Sequence, residues 1–161
     1  YIRLGRAAVP TFYTEEMAAK LEIGKGVCLR TGDKKDGKLA DATVIATGIM
    51  VNEAMLAAVE LAADGIEVRV IDMHTIKPLD ADIIYRAARE TGAIVTAEEH
   101  SVIDGLGSAV AEVTATHYPV KMAMVGQQDT FGESGKPEEL KAKYGMTAAD
   151  IVRAVKLLIE A

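Results

Sequence analysis

The segment Val95-Thr-Ala-Glu98-Glu99-His100-Ser-Val-Ile-Asp104-Gly105-Leu-Gly107-Ser-Ala109 decides the fold class. A β-branched run ends in two acids and a histidine, and a glycine-bearing loop then opens a segment with apolar residues at helical spacing. This succession is typical of an open α/β sheet, in which ligands usually lie outside the carboxyl ends of the strands. The acids and the histidine are therefore the first candidates for chemistry.

Composition narrows the class of protein. The 161 residues fit one domain, and half of them are hydrophobic although no Trp occurs, so the core must be built from aliphatic side chains, which suits helices packed on a parallel sheet. A net charge of −6 argues against nucleic acid as a partner. No apolar run is long enough to span a bilayer, and the first residues have neither the basic start nor the apolar stretch of a signal peptide. The single Cys28 in a predicted strand predicts a buried reduced thiol. We expect a soluble, cytoplasmic protein without membrane partners.

The periodicity of apolar residues predicts alternating strands and helices. Predicted strands cover 27–31, 42–47, 67–72, 93–97 and 120–125. Predicted helices cover 49–64, run from the cap Asp80 to Gly92, begin at Gly105 and use Pro137 as a first residue. A capping box of Thr147 and Asp150 predicts a closing helix, whose core-facing residues would be Ile151, Val152, Val155, Leu158 and Ile159. Right-handed crossovers make this a three-layer α/β/α sandwich, with strand 27–31 at an edge of the sheet.

Polar residues gather where the parallel strands of such a sheet end. They are Gly48, His74, Glu98, Glu99, His100, Gln127, Gln128 and Asp129. This cluster could bind a metal or support acid–base chemistry, but acids and histidines at strand ends also cap helices or meet another subunit. His100 has no HExxH spacing and no CxxC motif occurs, which argues against zinc. We therefore favour the structural interpretation.

The pair Gly105-x-Gly107 resembles the start of a dinucleotide-binding loop, and Asp129 lies near the offset of a ribose-binding acid. Two features argue against that site. Val110 stands at the position of the third glycine, and residues 98–104 separate the strand from the loop. No GxSxG nucleophile elbow occurs either. The sequence thus favours a scaffold over a catalyst.

Four motifs in order resemble the transketolase family. They are Tyr1-Ile-Arg-Leu-Gly-Arg6, Ile71-Asp-Met-His-Thr-Ile-Lys-Pro-Leu-Asp80, Val95-Thr-Ala-Glu-Glu-His100 with its Gly-Leu-Gly, and Asp129-Thr-Phe-Gly-Glu-Ser-Gly135 with Lys143-Tyr-Gly-Met-Thr-Ala148. They match the C-terminal domain, as found in the carboxyl subunit of split bacterial transketolases and in deoxyxylulose-phosphate synthases. The resemblance implies a mostly parallel five-stranded sheet with one antiparallel strand.

The resemblance also implies how the chain divides. In the family one domain binds thiamine diphosphate with a divalent cation, a second holds the pyrimidine ring and the catalytic glutamate, and the third is the one matched here. Residues 1–12 would end the preceding pyrimidine-binding domain and its linker, and 13–161 would form the C-terminal domain. The chain starts at Tyr1 without Met, and Tyr1-Ile-Arg-Leu is predicted to be part of a strand. We therefore expect the chain to be part of a longer polypeptide.

No catalytic, cofactor-binding or metal-binding residue is expected in this chain. The family's cation signature is Gly-Asp-Gly followed by Asn, but the only asparagine is Asn52, and Lys35 stands where the first glycine of Asp36-Gly37 would have to be. Thiamine diphosphate and Mg²⁺ would belong to the parent enzyme. Arg6 resembles an arginine that binds the sugar phosphate in transketolases, although it could also be a surface arginine at a truncated end.

The predicted function is a structural and dimerisation domain of a transketolase-like transferase that moves two-carbon ketol units between sugar phosphates of the pentose phosphate type. It would be inactive alone and would bind the remaining domains or an N-terminal subunit in a homodimer. The candidate interface is the carboxyl-edge loop of His74, Glu98, Glu99, His100, Gln128 and Asp129. Alternatives are the matching domain of a 2-oxo-acid dehydrogenase beta subunit, a free-standing nucleotide-binding module and a docking domain.

Overall fold

Strands and helices alternate along most of the chain, as predicted. The computed structural model describes residues 1–5, 8–34 and 36–160. Its elements are α1 (Glu15–Ala18), β1 (Val27–Arg30), β2 (Ala42–Ala46), α2 (Met50–Ala63), β3 (Val68–Asp72), α3 (Ala81–Thr91), β4 (Ala93–Ser101), α4 (Leu106–His117), β5 (Lys121–Gln127), α5 (Pro137–Lys143) and α6 (Ala148–Glu160).

The five strands form one sheet in the order β1-β3-β2-β4-β5. Strands β2 to β5 are parallel to one another, and β1 runs antiparallel to β3 at the edge, with Val27 opposite Asp72. Consecutive residues of a strand face opposite sides of the sheet. Accordingly Val44 packs in the core against α2 and α6, whereas Ile45 packs in the core against α3 and α4. The predicted α/β/α sandwich with one antiparallel edge strand is confirmed.

Local sequence signals set the ends of several helices. Asp80 caps α3 by accepting from the Ile83 N–H at 3.3 Å, and its second oxygen accepts from the Gly26 N–H at 3.0 Å. Gly92 ends α3 with a φ of +69°, which glycine adopts without strain. Asp150 accepts from both the backbone and the hydroxyl of Thr147 before α6. Each of these ends lies where the sequence predicted it.

A buried ion pair joins the three helices on one side of the domain. Lys141 Nζ in α5 lies 2.6 Å from Glu53 Oε1 in α2, and both side chains are about nine-tenths buried. The other oxygen of Glu53 accepts from the Ala148 N–H at the start of α6 (2.9 Å). One carboxylate therefore holds α5 and α6 against α2.

Several predictions about individual residues are wrong. Residues Tyr1–Leu4 are exposed and form no strand, since they lie outside the sheet. The thiol of Cys28 is exposed because β1 is an edge strand that no helix covers completely, although partial burial still raises the pKa of the Cys28 thiol. Ile159, predicted to face the core, is 36% exposed in the last turn of α6. The short helix α1 was not predicted.

None of the helices among the described residues has both the length and the apolar character that a bilayer-spanning helix needs.

Candidate functional site at the carboxyl edge of the sheet

The predicted candidates lie at the edge of the sheet where β2 to β5 end. His74 follows β3, and Gln128 and Asp129 follow β5. Strand β4 continues to Ser101, so Glu98, Glu99 and His100 belong to the end of this strand and are not loop residues as predicted. The extension arises because Ser101 pairs with Gln127 of β5. Strand β2 separates β3 from β4, which places His74 about 10 Å from the β4 residues across the sheet.

Glu98 is buried and serves as the N-terminal cap of α4. Its Oε2 accepts from the Leu106 N–H at 2.7 Å and its Oε1 accepts from the Gly107 N–H at 2.8 Å. The side chain is 3% exposed. A carboxylate at this position satisfies two N–H groups that lack partners within the helix and meets the positive end of the helix dipole. Both oxygens of Glu98 are thus engaged inside the domain.

The two glycines of the deciding segment allow this close approach. A Cβ at Gly105 would collide with Glu98 Oε2 and would lie 2.6 Å from Ser101 O. A Cβ at Gly107 would lie 2.8 Å from Met124 Sδ and 2.9 Å from Thr96 Oγ1. Cβ atoms essentially never lie within 3 Å of another heavy atom, so a side chain at either position would force its neighbours to move. The conflict is more severe at Gly105, where one of the atoms is a backbone oxygen.

This arrangement removes the nucleotide-binding alternative. In a dinucleotide-binding loop the N–H groups at the helix start bind phosphate. Here the N–H groups of Leu106 and Gly107 already bind the carboxylate of Glu98. A phosphate at the same position would meet a buried negative charge, which is unfavourable.

Glu99 and His100 point away from the core. The guanidinium of Arg3 donates to Glu99 O at 3.1 Å and lies 3.9 Å from the Glu99 carboxylate. The Nδ1–H of His100 donates to Ser101 O at 2.9 Å, and the same nitrogen is 3.9 Å from Glu98 Oε2. Both side chains are about half exposed, which suits contacts with another surface better than enclosed acid–base chemistry.

The remaining candidates are exposed and make only local hydrogen bonds. His74 Nδ1 lies 2.9 Å from the Thr75 hydroxyl, and Gln128 Nε2 donates to Gly126 O at 3.2 Å. Asp129 is exposed in the loop after β5. The structure therefore joins Glu98, Glu99, His100 and the end of β5 at one place and leaves His74 apart.

A buried acid that the sequence reasoning missed lies at the same edge. Asp72 is 6% exposed, and the hydroxyl of Tyr13 donates to its Oδ2 at 2.6 Å. Its Oδ1 is buried without a hydrogen-bond partner among the described residues. Burial raises the pKa of Asp72, and burial together with the Asp72 carboxylate raises the pKa of Tyr13. The only sequence signal is an acid ending the apolar run Val70-Ile71.

Two predictions concern ligands, namely that the chain holds no metal ion and that Arg6 binds a sugar phosphate. Across residues 1–5, 8–34 and 36–160, no three His, Cys, Asp or Glu side chains come together in a way that could hold a metal ion. Arg6 lies outside the described residues, so its role toward a sugar phosphate stays a prediction.

Comparison with known proteins points to one family. Residues 34–151 match the family model described as "Transketolase, C-terminal domain". The chain is 46% identical over 160 residues to the 6-deoxy-6-sulfo-D-fructose transketolase subunit SqwH of Clostridium sp. (strain MSTE9), covering 99% of the chain and 47% of that protein. It is 40% identical over 153 residues to one of the subunits of the apulose-4-phosphate transketolase of Phocaeicola vulgatus (95% of the chain, 46% of that protein).

A solved structure shares the fold at similar identity. It is described as a split gene transketolase in an inactive beta4 tetramer, and it superposes with a TM-score of 0.90 and 48% sequence identity over 99% of the chain and 50% of its own. The chain therefore spans about half the length of the relatives that it matches.

Proposed function

Since this chain belongs to the transketolase family and corresponds to its C-terminal domain, we propose that it is the non-catalytic domain of a thiamine-diphosphate-dependent transferase. That enzyme would move two-carbon ketol units between phosphorylated sugars of the pentose phosphate type in the cytoplasm. The relatives at 46% and 40% identity are named as parts of transketolases, which favours this proposal over a 2-oxo-acid dehydrogenase.

One observation carries the non-catalytic role. Glu98 is the buried acid of the predicted cluster, and both of its oxygens bind backbone N–H groups of α4. A carboxylate held in this way is not free to accept a proton from a substrate, because a general base needs a lone pair directed at the reacting group. The other acid of this strand end, Glu99, is half exposed. The edge is thus suited to hold chain segments together.

The division of the chain at residue 12 is part of the proposal. Tyr13 is tied to the sheet through Asp72, and Phe12 packs against the core, whereas residues 1–5 and 8–11 are exposed. This supports a domain that starts at residue 13 and a preceding segment that ends the pyrimidine-binding domain. Arg6, in that segment, would bind the phosphate of the sugar in the whole enzyme.

The cofactor would be bound by the rest of the enzyme. The described residues offer no set of three acidic, histidine or cysteine ligands, so they do not fit a Mg²⁺ bridging a diphosphate. We place thiamine diphosphate and Mg²⁺ in the remaining domains or in an N-terminal subunit. The exposed members of the candidate interface, His74, Glu99, His100, Gln128 and Asp129, would contact those domains or a second protomer of a homodimer.

The proposal is tested by activity with and without the rest of the enzyme. The purified 161-residue chain, supplied with thiamine diphosphate, Mg²⁺, xylulose phosphate and an aldose phosphate, is expected to show no turnover. The full-length or reconstituted enzyme is expected to transfer the ketol unit. Turnover by the chain alone would contradict the non-catalytic role, and oxidation of 2-oxo acids by the whole enzyme would favour the dehydrogenase instead.

A further inference from the structure

A groove beside the edge strand β1 is lined by two arginines. Arg69 of β3 and Arg86 of α3 line it together with Glu90, and Ile71 and Ile83 contribute its apolar surface. The cavity in this groove has a volume of about 200 Å³. We call it the β1 groove. Two positive charges against one negative charge make its lining basic, although the whole chain has a net charge of −6.

Arg69 is fixed in position while part of its guanidinium stays free. Its side chain is only 12% exposed, and its Nη1 donates to Glu90 Oε2 at 2.5 Å. Within the described part of the chain the other N–H groups of this guanidinium form no hydrogen bond, and they are not fully buried. A guanidinium held on one side by a carboxylate presents its remaining N–H groups in a fixed plane, which matches the oxygens of a carboxylate or a phosphate.

Arg86 adds a second positive charge to the β1 groove. It is exposed, one helical turn before Glu90, and among residues 1–5, 8–34 and 36–160 it takes part in no ion pair. The charges of both arginines act on the nearby Cys28 thiol, since burial raises the pKa of that thiol and the two guanidiniums oppose the rise. Two cations that share one groove in this way favour an anion between them.

An irregularity in β1 brings two more polar side chains into the β1 groove. Residues three apart in a regular strand face opposite sides of the sheet. The register of β1 against β3 shifts between Cys28 and Arg30, and Cys28 and Thr31 both line the groove. The thiol and the hydroxyl therefore lie on the same side as the two guanidiniums.

We propose that the β1 groove is a binding site for a small organic oxyanion, a molecule with a carboxylate or phosphate group and a short apolar body. Arg69 and Arg86 bind the charged group, and the Thr31 hydroxyl donates to one of its oxygens. The isoleucines of the groove contact the apolar body. Strands β3 and β2 separate β1 from β4, so this site lies roughly 14 Å across the sheet from the strand that carries Glu98.

The Cys28 thiol reports on the charge in the β1 groove. In the full-length protein its alkylation by iodoacetate, an anion, is compared with that by neutral iodoacetamide, and the Cys28 peptide is quantified by mass spectrometry. Both reagents react with the same thiolate, so the ratio of their rates cancels the raised pKa of Cys28. The ratio is expected to exceed that of N-acetylcysteine at least about fivefold. A ratio equal to that of N-acetylcysteine, or no reaction with either reagent, would overturn the proposal.

Two arginines of α3 provide a matched pair of variants. Arg86→Gln should return the rate ratio to within about twofold of the N-acetylcysteine value. Arg89→Gln should leave the ratio unchanged, because Arg89 lies over the Tyr85 ring and does not line the groove. Both arginines are exposed, so each variant should keep its Tm within about 2 °C of the wild type. A ratio for Arg86→Gln that stays at the wild-type value would contradict the role of this arginine.

Occupancy of the groove is tested with inorganic phosphate and with propionate as probes, at an ionic strength held constant with NaCl. A probe that binds should slow the reaction of Cys28 with iodoacetamide at least about fivefold at saturation. Arg86→Gln should raise the half-saturating concentration at least about tenfold, whereas Arg86→Lys, which keeps the charge but loses the planar fork, should raise it less. Saturation by phosphate alone assigns the site to phosphate compounds, and saturation by propionate alone assigns it to carboxylic acids. If neither probe slows the reaction more than NaCl does, the proposal is wrong.

Discussion

Replacing Glu98 with Ala should destabilise the isolated domain severely. The change removes two charge-assisted hydrogen bonds, at 2.7 and 2.8 Å, and leaves two buried N–H groups at the start of α4 without partners. Each bond of this type contributes roughly 1.5–3 kcal/mol, so a loss of about 3–5 kcal/mol is expected out of a total stability of about 5–15 kcal/mol. With a urea m-value of about 2 kcal/mol/M, the unfolding midpoint followed by far-UV circular dichroism should fall by about 2 M.

The neighbouring acid provides the matched control. Glu99→Ala removes a side chain that is 48% exposed and 3.9 Å from Arg3, and it should change the free energy of unfolding by less than about 0.5 kcal/mol. Glu98→Gln should fall between the two, at about 2 kcal/mol, because the amide keeps one acceptor and turns its NH₂ toward a backbone N–H. A midpoint for Glu98→Ala equal to that of Glu99→Ala would refute the capping role.

Three further changes test other contacts of the domain by the same urea titration. Gly105→Ala should cost about 2–4 kcal/mol through its collision with the capping carboxylate, whereas Gly5→Ala, with nothing within 4 Å of the added Cβ, should have no measurable effect. Lys141→Met should lower the free energy of unfolding by about 3–5 kcal/mol, because it leaves Glu53 buried without its cation. Adding Glu53→Gln should recover most of that loss. An equal loss in the single and double variants would contradict this. Burial raises the pKa of Asp72 above its ordinary value of 3.8, so the wild type loses stability as pH rises from 3.8 through the pKa of the folded carboxyl. Asp72→Asn should therefore gain stability relative to the wild type over that pH range. A difference in the free energy of unfolding that does not change with pH would argue against this.

The features that the sequence predicted well depend on neighbours close in the chain. Asp80 caps a helix that starts one residue later, and the Thr147–Asp150 pair spans a single turn. The sheet followed from apolar runs long enough to be buried on both faces, since Val44 and Ile45 enter opposite cores. Where the physical cause is local, as in helix capping and burial periodicity, the pattern of residues is sufficient to predict the outcome.

The roles of the candidate residues depended on distant contacts. Glu98 was placed correctly at the strand end, but an acid at that position can be a general base, a metal ligand or a helix cap. Only its hydrogen bonds to the N–H groups of Leu106 and Gly107, eight and nine residues later, show that it is a helix cap. The contact between Tyr13 and Asp72 joins residues 59 positions apart. The exposure of Cys28 follows from the position of β1 in the sheet and not from its own neighbours in sequence. Tertiary contacts of this kind leave no periodic signal in the sequence.

The reversed direction of β1 has a geometric effect on how the domain is connected. Because Val27 lies opposite Asp72, the strand begins at the same side of the sheet where β3 finishes, and the polypeptide enters the domain on that side. If β1 were parallel to β3, the chain would enter the sheet at its opposite edge, about 16 Å away, which is the length of a five-residue strand. The polarity of one short strand thus decides at which side of the sheet the residues just before β1 lie.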